Sequence, residues 1–247
     1  MKLEFSGSRA LILGGSCDLA LYLAESMIKV NLLPILTYRD ENDHKKISNI
    51  LSSFAGKYET VYLDFADIAS LDALFCKIKD DLDFMVDFAQ GDIEGLIASA
   101  NPDDISRYFE QNISFRAKIL KKAGRAMLKK KKGRLVFISS SAAAKPNPGQ
   151  GFYAAAKLAS EALYKNLGLE LGSRGITTVT LRPGYIDTGR GKAYMQGREK
   201  EVLRRVPTRK AITAQEVTDT VLFFLSKSAA GFNAVEIAMD GGLTAGK

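Results

Sequence analysis

Arg9-Ala10-Leu11-Ile12-Leu13-Gly14-Gly15-Ser16-Cys17-Asp18-Leu19-Ala20 is the stretch that decides the fold. Arg9 to Leu13 is a short, almost wholly apolar run, the pattern of a strand buried on both faces. It stops at two glycines. From there the apolar residues change period, and Leu19, Leu23, Met27 and Val30 recur at helical spacing. A buried strand, a glycine turn and a helix, in that order, open a parallel α/β unit. The same turn suits a dinucleotide pyrophosphate, which needs close backbone approach and the free N–H groups of a helix N-terminus. Gly14 and Gly15 meet the first need. Asp18 reads as the N-cap of the helix, with its carboxylate turned away from any anion.

Moving outward, the alternation continues. Apolar runs at Leu32 to Tyr38, Val61 to Leu63, Phe84 to Val86, Leu135 to Ile138, Thr177 to Leu181 and Val235 to Met239 read as strands. Between them, helical patterns cover His44 to Phe54, Leu71 to Ile78, Pro102 to about Lys132, Phe152 to Leu171 and Val217 to Leu225. This predicts a doubly wound α/β domain spanning residues 1–247, with a parallel sheet of about seven strands and helices on both faces. Only residues 187–212 resist assignment.

Composition narrows the classes. The 247 residues are 46% hydrophobic and 26% charged, which excludes collagen-like, coiled-coil and wholly disordered chains. Cys17 and Cys76 are too few for a disulfide framework and read as reduced thiols, which points to the cytoplasm. The N-terminus turns polar at once, and no apolar run reaches membrane-spanning length. His44 is the one histidine, so neither a histidine triad nor a multi-histidine metal site is expected. Charge is uneven. Residues 1–110 carry 10 basic and 19 acidic side chains; residues 111–247 carry 25 and 9. Gln111 to Ser160 holds no acid at all. Such a face is either a solvated cationic surface or a dock for a phosphorylated cofactor, coenzyme A or an acidic carrier protein. Nucleic acid is not expected, because no nucleic-acid-binding motif accompanies the charge.

The chemistry concentrates at Ser140, Tyr153 and Lys157. Tyr153 and Lys157 are four residues apart and share a helix face. An ammonium beside a phenol favours the phenolate, which makes tyrosine a usable acid or base near neutral pH. Ser140 ends the fifth strand, where ligands bind in open α/β sheets, and its hydroxyl could hold a carbonyl oxygen. Asn112 could extend a proton relay through water to Lys157.

On these residues the chain resembles the short-chain dehydrogenase/reductase family from about Arg9 to Gly242, with a Rossmann-type sheet implied. The family's Ser, Tyr, Lys and Asn map onto Ser140, Tyr153, Lys157 and Asn112. Its dinucleotide site maps onto Gly14, Ser16, Cys17, Asp18 and Leu19 at the turn, Asp64 and Phe65 near adenine, and Ala89 after strand four. Tyr153 and Lys157 themselves belong to it, with Pro183, Gly184, Ile186 and Thr188 around the nicotinamide. The family's closing Asp-Gly-Gly is Asp240-Gly241-Gly242. Asp87-Phe88-Ala89-Gln90 departs from the family's Asn-Asn-Ala-Gly. Gln90 puts a side chain beside the cofactor, and Gly91 stands one place late.

After strand two come Tyr38 and Arg39. An arginine there can pair with a 2′-phosphate, which favours NADP(H) over NAD(H), whereas Asp40 next to it argues for NAD. Residues 187–212 are expected to form a substrate lid, with eight basic side chains between Arg190 and Lys210. Gly149 to Lys157 and Arg174 to Thr177 look most like bacterial 3-oxoacyl-(acyl-carrier-protein) reductases. The resemblance makes Lys131 and Arg174 the carrier-protein dock and implies a homodimer or homotetramer, with Ala155, Ala159 and Ala162 allowing close helix approach. Three readings follow: an NADPH-dependent reductase of a 3-oxoacyl thioester, an oxidoreductase of a small ketone, sugar or polyol, or a non-catalytic dinucleotide-binding protein.

Overall fold

The computed structural model describes residues 3–79, 81–91 and 93–245; Met1 and Lys2, part of the N-terminal reading above, lie outside them. The strands are β1 Arg9–Leu13, β2 Leu33–Tyr38, β3 Glu59–Tyr62, β4 Phe84–Asp87, β5 Gly133–Ile138, β6 Ile176–Pro183 and β7 Val235–Met239. They form one seven-stranded sheet in the order β3-β2-β1-β4-β5-β6-β7, with every pair parallel. The helices are α1 Asp18–Lys29, α2 Glu41–Ile50, α3 Ile68–Lys77, α4 Pro102–Phe109, α5 Phe115–Lys130, α6 Gly151–Leu171, α7 Gly189–Met195, α8 Glu199–Leu203 and α9 Ala214–Leu225. The expected doubly wound Rossmann-type sheet is therefore the observed architecture.

Two apolar layers hold it. Leu23, Met27, Val217 and Val221 of α1 and α9 pack on one face of the sheet. Leu71, Leu74, Ile119, Ala123 and Tyr164 of α3, α5 and α6 pack on the other. The strand order reverses between β1 and β4. In open parallel sheets, the crevice beyond the strand ends at that reversal is where ligands sit. Here Gly14 and Ala89 face each other across it. A Cβ on Gly14 would stand 2.9 Å from the Ala89 backbone nitrogen.

Three local expectations are corrected. The helix expected from Pro102 to Lys132 is divided by a π-helical segment, Glu110–Ser114. The extra residue in that turn re-aims Asn112, whose side chain donates to Tyr108 O (2.9 Å) and accepts from Gly91 N–H (2.8 Å). The second helix starts at Glu41, earlier than expected, because Asp40 caps it and accepts from Asp43 N–H at 3.0 Å. Asp18 is not a cap; the N-cap of α1 is Cys17. Residues 187–212, unassigned from sequence, hold α7 and α8, and a parallel bridge between Ile186 and Ile212 closes their base.

Helix α6 lies close to β6 at Gly168, where an added Cβ would meet Thr178 Oγ1 at 2.4 Å and Asn233 Oδ1 at 2.6 Å. Gly168→Ala should therefore destabilise the fold by about 1–3 kcal/mol and lower the melting temperature by several degrees, read by thermal denaturation.

Candidate active site

One cavity of about 1030 Å³ opens beyond the carboxyl ends of the strands. Its floor at one end is the turn after β1. Gly14 adopts φ +70°, a conformation that L side chains resist, and its N–H donates to Thr37 Oγ1 at 3.0 Å. No side-chain oxygen caps α1, since Cys17 fills the N-cap without a hydrogen bond to the turn. The first N–H groups of the helix are thus left to an incoming anion. Burial pushes the Cys17 thiol up to about 11, so it adds no negative charge there. Asp18 is neutralised in place. Lys46 donates to its Oδ1 at 2.8 Å and Thr188 to its Oδ2 at 3.1 Å, and the Lys46 contact is the main cause holding its carboxyl below the usual range. A cradle that a Cβ would fill, with uncapped N–H groups and a screened carboxylate, fits a pyrophosphate.

Tyr38 and Arg39 line the same cavity. Among the described residues the Arg39 guanidinium pairs with Asp40, at 3.5 Å, with both side chains exposed. Asp40 does not line the cavity, but Asp43 does, from the first turn of α2, with its Oδ2 accepting from Arg39 N–H at 3.2 Å. Asp64 holds Ala66 N–H at 2.9 Å, and Phe65 stacks on Phe115 with ring centroids 5.0 Å apart.

At the other end stand Ser140, Tyr153, Lys157 and Asn112. Ser140 Oγ accepts from Ala142 N–H at 3.1 Å, leaving its own proton to be donated outward. Lys157 Nζ lies 5.8 Å from the centre of the Tyr153 ring and donates to Ile138 O at 2.8 Å. Burial, followed by the Arg116 guanidinium, pushes the Lys157 ammonium down to about 7. The lysine thus changes charge near neutral pH. The side-chain polar atoms of Asn112 are engaged by Gly91 and Tyr108, and its carbonyl accepts from Arg116 Nη1. Pro183, Gly184, Ile186 and Thr188 complete the wall.

With one exception, every residue that the sequence assigned to chemistry or to dinucleotide binding lines one cavity, the turn residues Gly14, Ser16, Cys17, Asp18 and Leu19 and Ala89 as much as Tyr153. Gly15 does not: an added Cβ there would meet Leu36 Cβ at 2.6 Å and Thr37 O at 2.8 Å, so its close approach is to β2. Lys131 and Arg174 do not. They neighbour one another at the amino ends of β5 and β6, the opposite edge of the sheet. No group of three or more His, Cys, Asp or Glu residues that could hold a metal occurs among the described residues.

A family model described as Enoyl-(Acyl carrier protein) reductase matches residues 17–244. The chain is 30% identical, over 244 residues, to the 3-oxoacyl-(acyl-carrier-protein) reductases of Salmonella typhimurium and Escherichia coli K12, covering 98% of this chain and 99% of each relative. The chain belongs to the short-chain dehydrogenase/reductase family. It is an oxidoreductase of that family. Its fold superposes on that of a gluconate 5-dehydrogenase from Burkholderia cenocepacia, solved in complex with NADP and tartrate. The TM-score is 0.90 at 22% identity, over 100% of this chain and 98% of that one.

Within this short-chain dehydrogenase/reductase, the unusual Asp87–Gln90 loop has its own answer. Asp87 pairs with Arg116 at 2.7 Å, both fully buried. Gln90 turns its amide to Tyr108 OH at 2.7 Å, and Gly91 makes the close approach to Asn112. Sequence reading missed Arg116. Its signal was an arginine in the buried stripe of Leu120, Ala123 and Met127. Asp43, Lys145, Asn147, Gln150, Tyr194 and Arg205 also line the cavity without having been singled out for it.

The turn is testable by itself. Gly14→Ala combines a strained φ with contact against Ala89. It should weaken dinucleotide binding at least about tenfold, measured by nucleotide fluorescence titration, at a cost of roughly 1–2 kcal/mol in stability.

Proposed function

We propose that this chain is an NADPH-dependent ketone reductase and that its substrate class is a 3-oxoacyl thioester. The observation that carries the reaction is the convergence of Ser140, Tyr153 and Lys157 on the cavity that holds the Gly14 cradle. A bound nicotinamide would supply the hydride. Ser140 would hold the carbonyl oxygen with a hydrogen bond from its hydroxyl, keeping its own proton. Tyr153 would give that oxygen its proton. Lys157, anchored to Ile138 O, would steady negative charge on the phenol oxygen while it carries its own proton. Residues 187–212 would act as the lid.

The choice of NADPH rests on Arg39, which lines the cavity and whose guanidinium makes a long contact, 3.5 Å, to exposed Asp40. It could exchange that contact for a 2′-phosphate. A solved structural neighbour also carries NADP. Asp43 is the competing group, since its carboxylate could take ribose hydroxyls instead. The thioester substrate is supported by the two curated relatives, both named as 3-oxoacyl-(acyl-carrier-protein) reductases. Carrier docking is assigned to Lys131 and Arg174. A six-residue strand separates that edge from the site, about 20 Å at the usual rise per residue. An acyl arm must span that distance or serve the cavity of a neighbouring subunit. Ala155, Leu158, Ala162 and Leu169 form the exposed side of α6, the surface we assign to pairing into a dimer or tetramer.

A second reading is favoured by one observation. Lys145, Asn147, Gln150 and Arg205 line the cavity, and Lys145 makes no ion pair among the described residues. Such a lining suits a small ketone bearing hydroxyl or carboxylate groups, a sugar or polyol derivative.

Two experiments test these readings. With NADPH and a ketone panel, Tyr153→Phe should cut kcat roughly 10²–10⁴-fold while nucleotide binding persists, and Arg39→Ala should weaken NADPH but not NADH. Unchanged turnover in Tyr153→Phe overturns the reductase chemistry, and tighter NADH binding by the native chain transfers selectivity to Asp43. With carrier-bound and free 3-oxoacyl substrates compared, Lys131→Ala/Arg174→Ala should raise KM for the carrier-bound form alone. If instead Lys145→Ala/Arg205→Ala raises KM for a small keto acid that outperforms both thioesters, the second reading replaces the first.

A further inference from the structure

Asp87 and Arg116 form an ion pair with no solvent exposure, directly behind the catalytic helix. Asp87 Oδ2 accepts from Arg116 Nε at 2.7 Å and from Tyr164 OH at 2.9 Å, and its Oδ1 accepts from Ala89 N–H at 2.9 Å. The rest of the guanidinium is spent on three separate elements. Nη1 donates to Asn112 O in the π-helical segment and to Ser160 Oγ on α6, the latter at 3.0 Å, and Nη2 donates to Ala89 O. Arg116 therefore ties together the loop beside the cavity, the turn that carries Asn112 and the helix that carries Lys157. Arg116 and Lys157 also stand over the same Phe137 ring, 5.3 and 4.8 Å from its centre.

Stability alone is a poor reason for such a pair. Desolvating two charges can cost more than their attraction returns, and well-packed apolar replacements of buried pairs are often neutral or stabilising. The stripe of α5 that carries Arg116 is otherwise apolar and could have continued so. What the pair does possess is position.

We propose that Asp87–Arg116 is a positioning unit of the reduction: Arg116 holds Asn112 and α6 in register around Lys157, and the pair sets the local charge in which Lys157 gains and loses its proton. The inference rests on the reductase reading. The charged groups around Lys157 are Arg116 from α5, Asp87 from β4, Arg190 from α7 and Glu161 from its own helix, with the Tyr153 ring alongside. Arg116 and Arg190 oppose the ammonium, while Asp87 and Glu161 favour it. Removing either member of the pair must then move the lysine in opposite directions. Arg116→Met leaves the Asp87 carboxylate and raises the midpoint, whereas Asp87→Asn leaves the guanidinium and lowers it.

The test uses the full chain with NADPH bound. The 15N shift of the Lys157 amine is followed against pH, with Lys157→Met to assign the signal, and the pH profile of kcat is recorded beside it. Shifts of about one pH unit, upward in Arg116→Met and downward in Asp87→Asn, are expected, with Asp87→Asn/Arg116→Met between them. Arg116→Lys keeps the charge but loses the fork, so it should leave the midpoint in place and lower kcat roughly ten- to a hundredfold with little change in ketone KM. If one single variant fails to fold, the other single variant and the kcat of Arg116→Lys carry the test. A single-variant midpoint that coincides with the native value, or kcat unchanged in Arg116→Lys, overturns the proposal. Because the NMR titration needs no turnover, absence of ketone reduction by the native chain would count against the reductase reading and leave the Lys157 shifts to judge the pair.

Discussion

A seam of polar side chains beneath α6 governs how the molecule is put together. Lys157, Ser160, Glu161 and Tyr164 recur at three- and four-residue spacing and are all buried against the sheet. Each has a fixed partner. Lys157 donates to Ile138 O, Ser160 takes Arg116, Glu161 takes Ser139 and Arg182, and Tyr164 donates to Asp87. An apolar helix face can slide along a sheet at small cost. A face with this many directional bonds cannot, because every displacement strands a buried polar group. The axial position of α6 is set in this way, and with it the placing of Tyr153 relative to Ser140 at the end of β5.

The same principle reorganises the charges. The acidic first half and basic second half of the chain meet in space. Lys130 binds Asp81 and Asp83, Lys122 binds Asp72, and Lys132 reaches Asp83 and Ser6 O. Part of the lysine-rich stretch therefore fastens the amino-terminal ends of the central strands β4 and β5 and ties α5 to α3. Around the cavity, Arg190 turns to Gln90 O, while Lys145 and Arg205 remain at the wall. A cationic surface in the linear sequence thus resolves into structural clamps and a smaller set of cavity residues.

Much of this protein was legible from its sequence because the signals are local. Buried runs and helical periods depend on neighbours a few residues away, so the alternation of strands and helices, the Gly14 turn and the shared face of Tyr153 and Lys157 could be read directly. The resemblance to the family supplied most of the residues expected around the cavity, and the fold gathers them because in a parallel sheet those at strand ends meet beyond one end of the strands. Other features depended on residues far apart in the chain. Asp18 finds Lys46 28 positions away and Thr188 170 positions away, which is why its reading as a cap failed. Asp87 and Arg116 are 29 apart, and Asp43 reaches the cavity only because Asp40 caps the helix on which it sits. The π turn at Asn112 has no periodic signature. Local periodicity determines which elements form; only packing decides which buried charges face one another, because a desolvated charge takes its partner from whatever the fold brings within reach.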